Sequence, residues 1–296
     1  MEYTSLGKTG IKVSVAGLGC GGTSLVGLKQ DKSGRLSIGL VRQAIDLGVN
    51  FFDTAEGYGT EHVVGQVIAE VPRDRIVLST KKTFLLSDGE NPEREIRRSL
   101  EQSLKRLRTD YIDIYHVHGV DLNAYGYAKE RILPVFKKFR AEGKIRALGI
   151  TERFLEDPAH TMLQHSLQDN SWDVIMIGFN LLIPGARRNI FPLATRQGVG
   201  VIVMYAARSG LSQPARLKAI CQKPRDVWFS TLSGLPCCSK PNASAWIILI
   251  RSRFPRSNDI FTQRRSIDRV ALTHATGGNI DFELEPAPHS GYKRSH

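Results

Sequence analysis

The fold of this chain is decided by the stretch from residue 76 to residue 118, which contains IVLST at 76–80, EREIRRSLEQSLKRL at 93–107 and YIDIYHVH at 111–118. The two outer pieces are short apolar runs rich in β-branched residues, typical of buried strands. The middle piece repeats apolar residues at helical spacing, namely Ile96, Leu100, Leu104 and Leu107. Charges occupy its other faces, so it predicts an amphipathic helix between two parallel strands.

The same alternation extends outward along the chain in both directions. Seven apolar runs precede stretches of helical period, at 13–18, 49–52, 76–78, 111–117, 145–150, 174–179 and 199–204. Because crossover connections are right-handed, such a series either opens into a doubly wound sheet or closes into a barrel. We expect closure, which makes the fold class α/β and the architecture a (β/α)8 TIM barrel.

The last quarter of the chain has a different composition. Prolines and glycines recur after residue 222, and the one convincing strand there is 246–250. We therefore expect a barrel over residues 1–222 and a divergent, irregular segment over 223–296. The sequence leaves the eighth βα unit incomplete.

Composition and charge exclude several classes of protein. The chain has 296 residues with 41% hydrophobic and 24% charged residues, and no apolar stretch approaches the roughly 20 residues that cross a bilayer. The start of the chain lacks a secretory signal pattern, so we expect a cytoplasmic protein with no membrane partner. The net charge of +12 comes from scattered Lys and Arg without an aromatic-interleaved stripe, so we expect no nucleic-acid partner. The four cysteines lack CxxC spacing, and we expect no metal.

Polar residues that can move protons follow three neighbouring predicted strands. They are Asp53 and Tyr58 after the second strand, Lys81 after the third and His118 after the fourth. In a parallel barrel these strand ends meet at one face, where active sites form. A phenol has a pKa near 10, and a nearby ammonium lowers it, so Lys81 could activate Tyr58 while Asp53 balances Lys81. His118 could orient a carbonyl oxygen, and a cofactor must then supply hydride.

Six segments in order resemble the aldo-keto reductases. They are GLGCGGT at 17–23, FDTAEGYG at 52–59, STK at 79–81, DIYHVH at 113–118, EGKIR at 142–146 and GIT at 149–151. The resemblance spans about residues 3 to 220, and three of these segments resemble the motifs of the family's catalytic tetrad. It implies an NAD(P)H-dependent oxidoreductase acting on a small carbonyl or sugar substrate.

The resemblance also implies the role of each matched residue. Tyr58 is the general acid/base, Lys81 tunes it, Asp53 supports Lys81 and His118 orients the substrate. The implied contacts with the cofactor, NADP(H) or NAD(H), are Gly21, Gly22, Thr23, Asp53, Thr151, Glu152, Met204 and Tyr205.

The sequence departs from the family at the cofactor's amide. Thr151-Glu152 stands where many members have Ser-Asn, and Met176 where they have Gln. Met204 and Tyr205 remain alternatives for the residue that flanks the nicotinamide. No counterpart of the family's phosphate-binding loop is found after residue 222, which leaves NADP(H) and NAD(H) open.

Structural readings compete with the functional ones. Taken singly, Asp53 could cap a helix and Tyr58 could be a rim aromatic. His116 shares a strand face with His118, but no third ligand is evident, so we assign His116 to packing or a hydrogen bond. Cys20 is read as a small buried hydrophobe. The alternative function is a cofactor-binding barrel with little or no turnover and a regulatory or partner-binding role.

Overall fold

The computed structural model describes residues 1–22, 24–84, 92–180 and 183–206, together with the backbone of Trp246–Ile250. The expected boundary at residue 222 and the predicted cofactor contact Thr23 lie outside these residues. Within them, no helix is long and apolar enough to cross a bilayer.

A two-stranded antiparallel sheet opens the chain, formed by β1 (Tyr3–Ser5) and β2 (Lys12–Ser14). The apolar run at 13–18 was predicted as one strand, and the structure corrects this. The chain bends at Val15, whose N–H donates to the Glu2 carbonyl at 3.0 Å, and the barrel begins afresh at β3 (Ala16–Gly19).

Seven parallel strands and one antiparallel strand close the barrel, as expected for the α/β class. The parallel strands are β3, β4 (Phe51–Asp53), β5 (Val77–Lys82), β6 (Ile112–Val120), β7 (Ile145–Glu152), β8 (Val174–Gly178) and β9 (Gly200–Met204). β10 (Trp246–Ile250) pairs antiparallel with both β9 and β3. The predicted strand in the last quarter is therefore present, but it closes the barrel in the opposite direction from a regular eighth strand.

The helices lie between the strands. They are α1 (Arg35–Asp46), α2 (Glu61–Ile68), α3 (Pro92–Leu107), α4 (Leu122–Tyr127), α5 (Leu133–Ala141), α6 (Thr161–Gln168), α7 (Ala186–Asn189) and α8 (Phe191–Gln197). A π-helical turn, Ala128–Ile132, joins α4 to α5. The amphipathic prediction for 93–107 is confirmed, since all four of its apolar residues are buried in α3.

Two apolar clusters hold the barrel. The larger one packs the helices on the outer surface of the sheet, and the smaller one fills the barrel interior. The smaller cluster joins Leu6 and Ile11, from the connection between β1 and β2, and Val13 of β2 to Phe51 and Val77, the first residues of their strands. The amino-terminal end of the barrel is thereby closed by apolar packing, and the carboxyl end is left for polar chemistry.

Candidate active site

A cleft of about 440 Å³ opens at the carboxyl ends of the parallel strands. It is lined by ten of the eleven residues that the sequence predicted for the site, namely Gly21, Gly22, Asp53, Tyr58, Lys81, His118, Thr151, Glu152, Met204 and Tyr205. Thr23 falls outside the described residues. The structure therefore brings together side chains that lie up to 184 positions apart, from Gly21 to Tyr205.

Lys81 and Asp53 form a buried ion pair on adjacent strands. The Lys81 ammonium donates to both Asp53 carboxylate oxygens at 2.6 Å and to the Thr54 carbonyl at 2.7 Å. The two side chains are 1% and 5% exposed. All three ammonium protons are thus used, and both charges are compensated inside the protein.

Alternation along β5 places Lys81 and its neighbour Lys82 on opposite faces of the strand. Lys82 points to the other face, where it pairs with Glu56 at 3.1 Å. Of these two lysines, Lys81 lines the cleft and Lys82 does not.

Tyr58 ends a short 3₁₀ turn, Glu56–Tyr58, that follows β4. Its ring packs against Gly21, where an added Cβ would lie 2.4 Å from the ring, so only glycine allows this approach. The Lys81 ammonium is 5.3 Å from the ring centre. Among the described residues the Tyr58 hydroxyl has no hydrogen-bond partner, so it is free to bond a ligand in the cleft.

The protonation of Tyr58 differs from the sequence-based expectation. Burial raises the pKa of the Tyr58 phenol above its ordinary value, and the negative charge of Asp53 raises it further. The Lys81 ammonium donates its three protons to Asp53 and Thr54, so it gives the phenol no hydrogen bond. Tyr58 is therefore a protonated acid at neutral pH.

His118 lies beside Tyr58 in an edge-to-face contact, with ring centres 5.7 Å apart and an interplanar angle of 84°. Burial, followed by the positive charge of Lys81, lowers the pKa of His118 to about 3. Its Nδ1 is 3.4 Å from the Thr83 hydroxyl. At neutral pH the imidazole is uncharged and carries a single N–H.

His116 takes part in a buried hydrogen-bond chain behind the cleft, in agreement with its predicted structural role. Its Nε2 lies 3.1 Å from Ser79 Oγ, and the Ser79 hydroxyl donates to Asp53 Oδ1 at 2.7 Å. Because the Ser79 proton goes to Asp53, Nε2 is the donor in this chain. Within the part of the chain that the structure describes, no three His, Cys, Asp or Glu side chains gather to hold a metal ion.

Glu152 was predicted as a cofactor contact, and its partner His160 was not predicted. His160 Nδ1 lies 3.0 and 2.9 Å from the two Glu152 oxygens, and both side chains are fully buried. The Gly178 N–H donates to Glu152 at 2.8 Å. A lone histidine in the polar segment 156–160 gives no sequence signal for this role, because its left-handed backbone (φ 61°) turns the ring inward.

Both candidates for the residue flanking the nicotinamide line the cleft, and an aromatic stack supports one of them. The Tyr205 ring lies 5.6 Å from Phe154, which in turn stacks on His160 at 5.7 Å with an interplanar angle of 14°. Met204 and Met176 line the wall beside them. This side of the cleft is aromatic and apolar, which suits a flat ring.

Comparisons with known proteins agree with the geometry. Residues 17–229 match the model of the Aldo/keto reductase family. The chain is 30% identical over 222 residues to L-galactose dehydrogenase of Arabidopsis thaliana, covering 71% of this chain and 67% of that protein. It is also 30% identical to the NADH-specific methylglyoxal reductase of Escherichia coli (strain K12), covering 71% and 69%. A further relative is matched over only 53% of its own length.

A comparison with solved structures also finds an aldo/keto reductase. An aldo/keto reductase from Klebsiella pneumoniae, in complex with NADP and acetate, superposes with a TM-score of 0.57 at 25% identity, covering 79% of this chain and 77% of that one. The motif order, the barrel and the family match agree over the same part of the chain. This chain therefore belongs to the aldo/keto reductase family of NAD(P)-dependent oxidoreductases.

Proposed function

We propose that this chain reduces an aldehyde or ketone, or oxidises a sugar or alcohol in reverse, with NADP(H) or NAD(H) as cofactor and Tyr58 as the proton donor. The observation that carries the proposal is the Tyr58 hydroxyl, which is unpartnered among the described residues and faces the cleft beside Lys81 and His118. The names of the relatives, a sugar dehydrogenase and a methylglyoxal reductase, support a small carbonyl or sugar substrate.

The wall at the end of β7 fits a nicotinamide amide. The Thr151 hydroxyl accepts the Gly119 N–H at 2.7 Å, so its own proton is left to donate to the amide oxygen. The Glu152 carboxylate next to it is fully buried and bonded to His160 and Gly178, so it contributes negative charge behind this wall. Thr151, Glu152 and Tyr205 would hold the ring, with Gly21 and Gly22 on the opposite side. When bound, the cofactor supplies hydride to the carbonyl carbon.

The residues of the chain supply the proton and hold the substrate. Tyr58 keeps its proton until negative charge develops on the carbonyl oxygen, because burial and Asp53 raise its pKa. His118 is neutral and donates its N–H to the same oxygen, which orients the carbonyl. Lys81, fixed by Asp53, provides the positive charge that stabilises the phenolate once the proton has left.

Turnover tests this proposal directly. Purified protein is mixed with NADPH or NADH and a panel of aldehydes, ketones and sugars, and the nicotinamide absorbance is followed alongside the carbonyl product. We expect turnover with at least one substrate class. Cofactor binding by calorimetry without turnover on any substrate would refute the proposed activity and favour a regulatory barrel. The cytoplasmic location expected from the sequence stays a prediction, which fractionation of expressing cells can check.

A further inference from the structure

The Glu152 carboxylate is buried in the cleft wall with neutral donors as its nearest partners. It receives the Gly178 N–H at 2.8 Å and the His160 ring at 2.9 to 3.0 Å. Among the described residues no Lys or Arg lies within ion-pair distance of Glu152. The next acid, Asp157, adds further negative potential.

One ring nitrogen of His160 indicates how protons are distributed between Glu152 and His160. His160 Nε2 is buried without a hydrogen-bond partner. A protonated ring would place an unpaired N–H at this atom, whereas the neutral ring with its proton on Nδ1 leaves only a lone pair there. The neutral ring is therefore favoured, and Glu152 keeps a full negative charge. Burial raises the pKa of Glu152, and the bonds from His160 and Gly178 oppose that rise.

This charge lies behind the wall of the cleft, because the Glu152 side chain is fully buried. Glu152 ends β7 and lines the same cleft as Tyr58 and His118. Screening by salt is weak because the carboxylate is fully buried.

We propose that Glu152 stabilises the positive charge that the nicotinamide ring acquires as it gives up hydride. The inference rests on the proposed function. In the reduction, the hydride pair passes to the carbonyl carbon, the Tyr58 proton passes to the carbonyl oxygen, and the ring is left with one positive charge. The site therefore binds the oxidised cofactor more tightly, relative to the reduced one, than a neutral residue would allow. For unit charges roughly 10 Å apart at an effective dielectric constant of about 20, Coulomb's law gives a change on the order of tenfold in that ratio.

The direction of this effect agrees with the state of Tyr58. A protonated Tyr58 is ready to donate, and a carboxylate beside the ring favours hydride departure. Both features favour carbonyl reduction over alcohol oxidation.

The test compares dissociation constants for the oxidised and reduced forms of NAD and NADP, measured by calorimetry and by nicotinamide fluorescence. Glu152→Gln should weaken binding of the oxidised form relative to the reduced form by about tenfold. The matched control is Glu156→Gln, another acid of the same cleft that is 67% exposed and paired with Arg153, and it should leave the ratio unchanged. Glu152→Asp keeps the charge and should keep the ratio near that of the unaltered protein.

Three results would overturn the inference. They are an unchanged ratio in Glu152→Gln, an equal change in Glu156→Gln, or a ratio in Glu152→Asp that matches Glu152→Gln. Should the melting curve show that Glu152→Gln does not fold, the smaller neutral Glu152→Asn takes its place with the same expected ratio. If the unaltered protein binds neither form of either cofactor, the proposed function fails, which is a different result from a ratio that does not move.

Discussion

Replacing Lys81 with methionine tests whether the buried ion pair holds the rim of the barrel together. Methionine has similar length but no charge, so the change leaves the Asp53 carboxylate, 5% exposed, without its counter-charge. The Thr54 carbonyl also loses its donor. Removing one partner of a buried pair costs about 3–5 kcal/mol, and we expect Lys81→Met to lower the free energy of unfolding by that amount.

The neighbouring lysine provides the control. Lys82 pairs with Glu56 at 3.1 Å, but the two side chains are 28% and 24% exposed, so water screens the pair. Lys82→Met should cost no more than about 1 kcal/mol. The comparison holds the residue type, the strand and the substitution constant, and changes only the environment of the charge.

Urea unfolding followed by circular dichroism measures both variants, with equal slopes required before midpoints are compared. A double variant, Lys81→Met with Asp53→Asn, should be more stable than Lys81→Met alone because it removes the uncompensated charge. Equal losses for Lys81→Met and Lys82→Met, or a double variant less stable than Lys81→Met, would refute the reasoning.

Three further predictions concern residues around the site. The pKa of His118 is lowered from 6.5 to about 3 in the folded protein, so between these values the unfolded chain binds a proton that the folded chain does not. The free energy of unfolding should therefore fall as the pH drops from 6.5 towards 3, and it should fall less steeply in His118→Asn. Melting curves across that pH range measure both slopes. Gly149→Ala would place a Cβ 2.1 Å from His116 Nδ1 and should cost about 1–3 kcal/mol, whereas Gly126→Ala, with open space, should be tolerated; equal thermal shifts would contradict this. Asp113→Ala removes a fully buried carboxylate that pairs with Arg73 and Arg146. It should lower the free energy of unfolding by about 3–5 kcal/mol and leave cofactor affinity unchanged. A loss of cofactor affinity without a loss of stability would contradict this structural role.

The barrel and the proton-transfer residues could be predicted from the sequence because each rests on a local signal. Strand and helix periods are readable in windows of a few residues, and the carboxyl ends of parallel strands must meet. Asp53, Lys81 and His118 end such strands, so their proximity followed from topology alone. The resemblance to the family motif selects Lys81, which directly follows Thr80, and alternation along the strand places Lys82 on the other face.

Features that depend on contacts between distant segments could not be predicted from local strand and helix periodicity. The split of the run at 13–18 depends on a bond from Val15 to Glu2, and the raised pKa of Tyr58 depends first on its burial and then on the charge of Asp53. His160 reaches Glu152 through a single left-handed residue in an irregular segment. No periodicity reports such a turn, because it is set by packing and not by local preference.

At the position expected to contact the cofactor's amide, Thr151-Glu152 stands where many family members have Ser-Asn. The sequence marked Glu152 as a departure from the usual asparagine, which pointed to a changed contact. In the structure the Glu152 carboxylate is hydrogen-bonded to the His160 ring and the Gly178 N–H, which replace the water lost on burial. A mismatch with the family pattern thus becomes a feature with its own electrostatic consequence.

The single-turnover rate of carbonyl reduction in Tyr58→Phe, measured with protein saturated by reduced cofactor, shows whether Tyr58 is the proton donor. Phenylalanine keeps the ring against Gly21 and removes only the hydroxyl. We predict a rate at least about 100-fold lower than in the unaltered protein, with cofactor affinity unchanged and Tyr3→Phe, in the first sheet, behaving normally. A Tyr58→Phe variant that reduces the carbonyl at the rate of the unaltered protein would contradict the account.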